Sequence, residues 1–136
     1  MKDRSLSSAL HLLLVLAYRH PEVLSSEMLA LSMQTNPGVV RRILSKLAKA
    51  NLVETHRGQG GGSRLAKSPS EITVREVYAA LGDEPIFSSF EKKPYKVCPV
   101  SCGIQGSLNL LYERLEENIY INMAGVKLSE LLQNMK

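Results

Sequence analysis

Between positions 57 and 62 the chain reads Arg-Gly-Gln-Gly-Gly-Gly, and no other stretch restricts its folding as strongly. Glycine reaches positive φ without steric penalty, so such a run marks a tight reversal of the backbone. Segments 52–56 (Leu-Val-Glu-Thr-His) and 63–66 (Ser-Arg-Leu-Ala) flank it and read as two short strands. Together they predict a β-hairpin with Gln59, Gly60 and Gly61 at its tip. A two-stranded hairpin buries too little apolar surface to stand alone, so helices have to support it.

The helices are legible upstream. Leu6, Ala9, Leu10, Leu13, Leu14 and Ala17 share one face of a first helix, which should end near His20-Pro21. Ser25 then reads as an N-cap, with Glu27 in the first turn of a short second helix. Met28, Leu29 and Leu31 supply its apolar positions. Gln34-Thr35-Asn36-Pro37 reads as a turn and a new start, with Asn36 as cap and Pro37 at the first helical position. The third helix runs to about Ala50. Val40, Ile43, Leu44 and Leu47 face inward, while Arg41, Arg42, Ser45, Lys46 and Lys49 face outward. Two short helices across a tight turn, the second one basic outside, form a helix-turn-helix pattern. With the hairpin after it, the pattern is a winged helix.

Downstream, Ser68-Pro69-Ser70 breaks the chain. Thr73 and Glu76 have capping-box spacing and open a helix through Leu81. Residues 82–103 lack periodicity and contain Pro85, Pro94, Pro99 and both cysteines, so they read as a loop. A long helix is expected from Gln105, with a final short one over 128–135. Leu108, Leu111, Leu115, Ile119 and Met123 recur every three or four residues along the long helix. Leu110, Tyr112 and Ile121 widen that stripe beyond the needs of one small domain, which favours a homodimer seam over packing on its own domain alone. The expected class is mainly α with a small β-hairpin wing. Its parts are a winged-helix DNA-binding domain over 1–81, a cysteine-containing loop over 82–103, and a dimerisation helix with a C-terminal helix packing back over 104–136.

Charge follows the same division. Residues 1–67 carry ten Lys and Arg against four Asp and Glu, whereas residues 68–136 carry seven against nine. A basic first half suits a polyanion, and double-stranded DNA is the expected partner. Arg41 and Arg42 suit guanine edges or phosphates, and Gln34, Thr35 and Asn36 lie where a helix start meets phosphate. Arg57, Gln59 and Arg64 suit minor-groove or backbone contact from the wing. The glycine run is not read as a nucleotide cradle, since no Gly-Lys-Ser/Thr follows it and its setting is not strand-to-helix. No apolar run approaches the roughly 18–20 residues of a membrane span. The apolar stretch 10–18 is short, contains His11 and lacks a small-residue cleavage site, so a cytoplasmic protein without a membrane partner is expected.

The residues Val39-Val40-Arg41-Arg42-Ile43-Leu44, Leu47, Ala50-Asn51-Leu52-Val53, Arg57-Gly58 with Gly61-Gly62, Leu65-Ala66, Ile72-Thr73-Val74 and Val77 carry a further likeness. On them the chain resembles the Rrf2 (Rrf-two) family of bacterial winged-helix repressors over essentially its whole length. That resemblance implies a homodimer that crosses its long helices, binds a palindromic operator and represses transcription in a sequence-specific way. It places Ser26, Gln34, Thr35, Asn36, Pro37, Val39, Arg41 and Arg42 in the DNA-reading element. It places Gln59, Gly60, Gly61 and Arg64 in the wing. One departure is Ser63, where the family often has an aromatic residue.

Several family members hold an iron–sulfur cluster with three cysteines in the loop before the long helix. Here the loop reads Cys98-Pro99-Val100-Ser101-Cys102, and the chain has no third cysteine. A cluster normally takes four thiolates, with occasional histidine substitutes, and nothing in the spacing of His11, His20 and His56 suggests convergence. Ser8 is a poor ligand, so no cofactor or metal is expected. Cys98 and Cys102 instead suit a thiol switch, with Cys102 just before a helix N-terminus; two unreactive thiols remain the alternative. An enzyme is not expected. Cys-x3-Cys is not the dithiol motif of an oxidoreductase, and His56 has no evident nucleophile beside it. A thiol-disulfide oxidoreductase and an interaction-only winged helix stay open as other classes. The operator, the effector and the direction of regulation are not legible.

Overall fold

The computed structural model describes residues 3–135. Helix α1 (Asp3–Tyr18) runs through the middle and touches α2 (Ser26–Met33), strand β2 (Gly62–Leu65), α4 (Val74–Ala80) and α6 (Leu128–Gln133). That position explains a shift from the expected face. Ala9, Leu13 and Ala17 are buried as expected, yet Leu12 and Leu16 are also fully buried, while Leu6, Leu10 and Leu14 only pack at the margin. A helix covered on several sides does not keep one apolar stripe, so periodicity alone misplaces its centre.

The helix-turn-helix forms at its caps. Ser25 Oγ accepts from the Met28 amide at 3.2 Å and opens α2. Gln34 ends α2 in the left-handed region (φ 52°), which reverses the chain within a residue or two. Asn36 Oδ1 then accepts from the Val39 amide at 3.0 Å and opens α3 (Pro37–Lys49). On α2 the expected apolar set is corrected. Leu29 and Ala30 are buried, but Met28 is largely exposed and Leu31 is 80% exposed. From this short helix Leu29 and Ala30 enter the core and Met33 packs at its margin. On α3, Val40, Leu44 and Leu47 are buried and Ile43 packs at the edge.

Strand β1 (Val53–His56) pairs antiparallel with β2, matching Val53 with Leu65 and Glu54 with Arg64. Strand β1 begins one residue later than expected, and β2 keeps its length but is shifted one residue toward the N-terminus. A third segment joins them: Leu24 and Ser63 exchange backbone hydrogen bonds at 2.8 and 2.9 Å. Ser63 is buried, with Oγ 3.4 Å from Thr55 Oγ1. The small residue thus lets the wing lie directly on the Leu24 backbone, where a large side chain is not needed as an anchor.

After a 3-10 turn at Pro69–Glu71, Thr73 caps α4, its Oγ1 accepting from the Glu76 amide at 3.2 Å. The expected capping box is half made. Glu76 takes Lys67 Nζ at 2.7 Å, and the two residues flanking Thr73 are tied to the end of the chain. The Val74 amide donates to Val126 and the Leu128 amide donates to Ile72, which docks α6. Thr73→Ala is expected to lower stability by about 1 kcal/mol through the lost cap. Urea denaturation checks this; an unchanged midpoint would contradict it.

The long helix α5 (Pro99–Ala124) begins six residues before the expected Gln105, so the loop spans 82–98 rather than 82–103. Pro99 sits in its first turn and Cys98 is its N-cap. Proline is at home there, since its missing N–H would have no partner in a first turn anyway. Gly103 and Gly106 lie within the helix and weaken its sequence signal. At 1.5 Å per residue α5 is about 39 Å long, and it has no fully buried residue. Aromatic contacts hold it to the 82–98 loop and to α4. Phe87 stacks on Tyr112 with centroids 5.1 Å apart, and Tyr78 meets Tyr120 at 5.6 Å. The Arg75 guanidinium lies 4.4 Å from the Tyr120 ring centroid. Burial, with a hydrogen bond to Tyr78, pushes the Tyr120 phenol up to about 12.

Candidate nucleic-acid interface

The exposed side of α3 is built by its own amphipathicity. Burying Val40, Leu44 and Leu47 turns Arg41, Arg42, Ser45, Lys46 and Lys49 outward. Their charges differ in what they already hold. Arg41 Nη2 lies 3.1 Å from Glu27 Oε1 on α2. In the wing, Arg64 Nε lies 3.0 Å from Glu54 Oε2, its partner across the strand register, with His56 Nε2 3.9 Å from the same oxygen. By contrast Arg42, Lys46, Lys49 and Arg57 form no ion pair among the described residues. On this face the cations without an ion pair among the described residues therefore lie along α3 and at the base of the wing tip.

The remaining expected contact residues form the approach to α3. Ser26 is the first residue of α2. Gln34 is exposed at the turn, and Thr35 donates its amide to Ala30 O at 3.0 Å. Asn36 is exposed, but its Oδ1 is engaged in the cap, so it orders the helix start rather than offering a free acceptor. Pro37 and Val39 are half-buried in the first turn of α3. Arg57, Gln59 and Gly60 are exposed in the wing, and Gly61 is half-buried. Gly58 and Gly60 take φ values of 95° and 76°, and the Gly61 amide closes the turn on Gly58 O at 2.9 Å. A Cβ on Gly61 would come within 2.3 Å of the His56 carbonyl oxygen, so position 61 has to be glycine.

Glu27, expected only as a dipole partner in the first turn of α2, holds Arg41, and Glu54, for which no role is expected, holds Arg64. Glu54 was reachable, since the register that pairs Val53 with Leu65 also pairs 54 with 64. Glu27 and Arg41 meet through the packing of two helices, and no local spacing rule signals it. Glu27→Gln is expected to release Arg41 for phosphate contact and to steepen the salt dependence of DNA binding by about one unit. Because the pair is exposed, stability should change by less than about 1 kcal/mol. Binding isotherms over a salt series check the slope; an unchanged slope would show that Arg41 stays off the phosphates.

The cysteines lie away from this surface, at the start of α5. Cys98 Sγ accepts from the Ser101 amide at 3.5 Å, and the Cys102 amide donates to Cys98 O at 3.0 Å. Ser101 Oγ in turn accepts from the Tyr95 amide at 2.7 Å. Cys102 thus lies inside the first turn rather than ahead of it, and Cys98 is half-buried while Cys102 is exposed. The donor set does not fit an iron–sulfur cluster within one chain. Only two thiols are present, and no group of three or more His, Cys, Asp or Glu side chains gathers among the described residues.

The apolar stripe of α5 divides in two. Ile119 and Met123 are half-buried beside Leu6 and Tyr78 of their own chain, and Leu108 is half-buried. Leu111 and Leu115 are exposed, as are Leu110 and Ile121 on the far side. The 82–98 loop is fastened to the helix by Glu116 Oε1, which accepts from the Phe87 amide at 2.8 Å, and by Asn109 Oδ1, which accepts from the Phe90 amide at 3.0 Å.

Comparison with known proteins agrees with this geometry. The family model described as Rrf2, iron-dependent transcriptional regulator, matches residues 3–134. The HTH-type transcriptional regulator YwnA of Bacillus subtilis (strain 168) is 32% identical over 99% of both chains. A crystal structure described as a DNA-binding protein superposes with a TM-score of 0.74 at 31% identity, covering 94% of this chain and 98% of that one. CymR, the global cysteine regulator of B. subtilis, shares the fold, with a TM-score of 0.72 at 20% identity over 97% of this chain and 95% of its own.

Proposed function

This chain belongs to the Rrf2 family of transcriptional regulators, and from that premise we propose that it represses transcription by occupying a palindromic operator as a homodimer. It is a DNA-binding regulator and not an enzyme. The observation that carries the finer reading is that Arg42, Lys46 and Lys49 on the exposed face of α3 form no ion pair among the described residues, beside a wing that presents Arg57 and Gln59. Such a face suits the major groove, with Arg42 toward base edges and Lys46 and Lys49 toward phosphates. The wing suits the flanking minor groove. Bound there, the protein would exclude polymerase from the promoter. The bacterial cytoplasm is the place for this work, and no helix among the described residues is long and apolar enough to cross a membrane.

The two-fold partner is another copy of this chain, seated on the stripe of Leu108, Leu111 and Leu115, where α5 leaves large apolar side chains in water. Two reading helices about 34 Å apart would then meet successive major grooves. Replacing Leu111 and Leu115 together with lysine should give a folded monomer with at least tenfold weaker operator binding. Sedimentation equilibrium and binding isotherms read the two effects; a dimer that persists would move the seam elsewhere on α5. The chain works without an iron–sulfur cluster, a reading supported by its two-thiol donor set. Cys98 and Cys102, one helical turn apart at the hinge between loop and α5, are the place where oxidation would act on the arrangement of the reading heads. An operator affinity that is the same before and after mild peroxide would remove that role.

A further inference from the structure

A cavity of about 280 Å³ opens between the first turns of α1, the flank of α3, the end of α4, the start of the 82–98 loop and the last turns of α5. Leu6, Leu81, Ile86, Phe87, Ile119 and Met123 make its apolar wall. Small-molecule sites run to about 300–1,000 Å³ and combine apolar walls with a few polar groups, so this one suits a compact ligand.

Its polar groups are not equivalent. Tyr78 spends its hydroxyl on the backbone carbonyl of Glu84. Asp83 is taken by Arg75 in two hydrogen bonds of 2.8 and 3.3 Å, which hold its carboxyl below the usual carboxylate range. Lys46, by contrast, has no acid partner among the described residues. An apolar chamber with an ammonium on its rim that no described carboxylate pairs has the chemistry of a site for an anion with an apolar body. Lys46 also stands four residues beyond Arg42 on the exposed side of α3, at the shoulder between that face and the cavity.

We infer that this cavity binds a small monocarboxylic acid with an apolar body, and that its carboxylate draws Lys46 away from DNA phosphate. The second half rests on the DNA-reading role proposed for α3. Binding free energies are reciprocal, so an acid that competes with phosphate for one ammonium weakens DNA binding, and DNA weakens the acid by the same factor. Asp83 and Glu84 line the same cavity, so an amine probe is set against the acids to read which sign of charge the site takes.

The test is calorimetric titration of the full-length reduced protein with octanoate, phenylacetate, octanol and octylamine. In parallel, affinity for a short fluorescent duplex is measured with and without each probe. At least one acid should bind, with octanol at least tenfold weaker and octylamine silent. Lys46→Gln should weaken the acid at least tenfold without moving the melting temperature. Ile86→Trp, which fills the cavity from the loop, should abolish acid binding while leaving DNA binding in the absence of acid intact. Wild-type DNA affinity should fall severalfold at saturating acid, and Lys46→Gln should remove that effect. Octanol or octylamine binding as well as the acids, acid binding untouched in Lys46→Gln, or no binding by any probe would overturn the cavity assignment. Acid binding with unchanged DNA affinity would overturn the coupling. Absence of DNA binding before any acid is added would instead count against the regulatory reading of α3.

Discussion

Arg42→Ala is expected to weaken operator binding by about 1–3 kcal/mol, roughly ten- to a hundredfold, and to relax preference at the base it faces. Arg42 is exposed, points out from the same helix whose opposite face holds Val40, Leu44 and Leu47 in the core, and has no carboxylate to hold it among the described residues. A free guanidinium on a rigid helix offers its two parallel donors to guanine O6 and N7 with little entropy left to lose. Arg41 is one residue away and differs in this respect, since Glu27 already holds it at 3.1 Å. Arg41→Ala should therefore cost less, and its cost should depend more on salt. The check is a pair of isotherms for each variant, on the operator and on a scrambled duplex. Equal losses on both sequences for Arg42→Ala would make it a phosphate contact and leave base reading to its neighbours.

Gly62→Ala is expected to destabilise the protein by an amount on the order of 1–3 kcal/mol and to weaken DNA binding beyond what the lost stability explains. A Cβ at position 62 would lie 2.3 Å from the Leu24 carbonyl oxygen, 2.6 Å from its carbon and 3.0 Å from the Ser25 nitrogen. All three are backbone atoms, so no side chain can swing aside. Strand β2 would have to leave Leu24, breaking the bonds of 2.9 and 2.8 Å that Leu24 and Ser63 exchange. Ser25 is the cap of α2, so the same displacement reaches the start of the helix-turn-helix. Thermal unfolding should fall by several degrees. Gly60→Ala has open space for its Cβ and pays only for its φ of 76°, so it should be the milder change. Equal effects at 60 and 62 would contradict the tight seat of the wing on Leu24.

What could be foreseen was local. The caps Ser25, Asn36 and Thr73 act within three residues of themselves, and each holds the amide that its spacing implied. The hairpin followed from glycine stereochemistry, and the basic face of α3 from helical periodicity. The misplacements share another cause: they depend on what packs from elsewhere in the chain. Leu12 and Leu16 are buried because α1 is covered on several sides. The start of α5 hides behind Pro99, Gly103 and Gly106, residues that weaken a helix in general but are tolerated in a first turn and on an exposed side. The grip of Glu116 and Asn109 on the loop amides spans 29 and 19 residues. The ion pair that restrains Arg41 likewise joins two helices, so it tells Arg41 from Arg42 only in three dimensions.

Whether α3 and the wing read an operator as a two-fold pair is decided by selection of genomic fragments with the purified, reduced protein at near-physiological salt. A sequence with two-fold symmetry should be enriched, its half-sites about one helical turn apart, and Arg42→Ala should lose that enrichment. Recovery of no sequence above the input, or of a single asymmetric site that Arg42→Ala still selects, would contradict that two-fold reading.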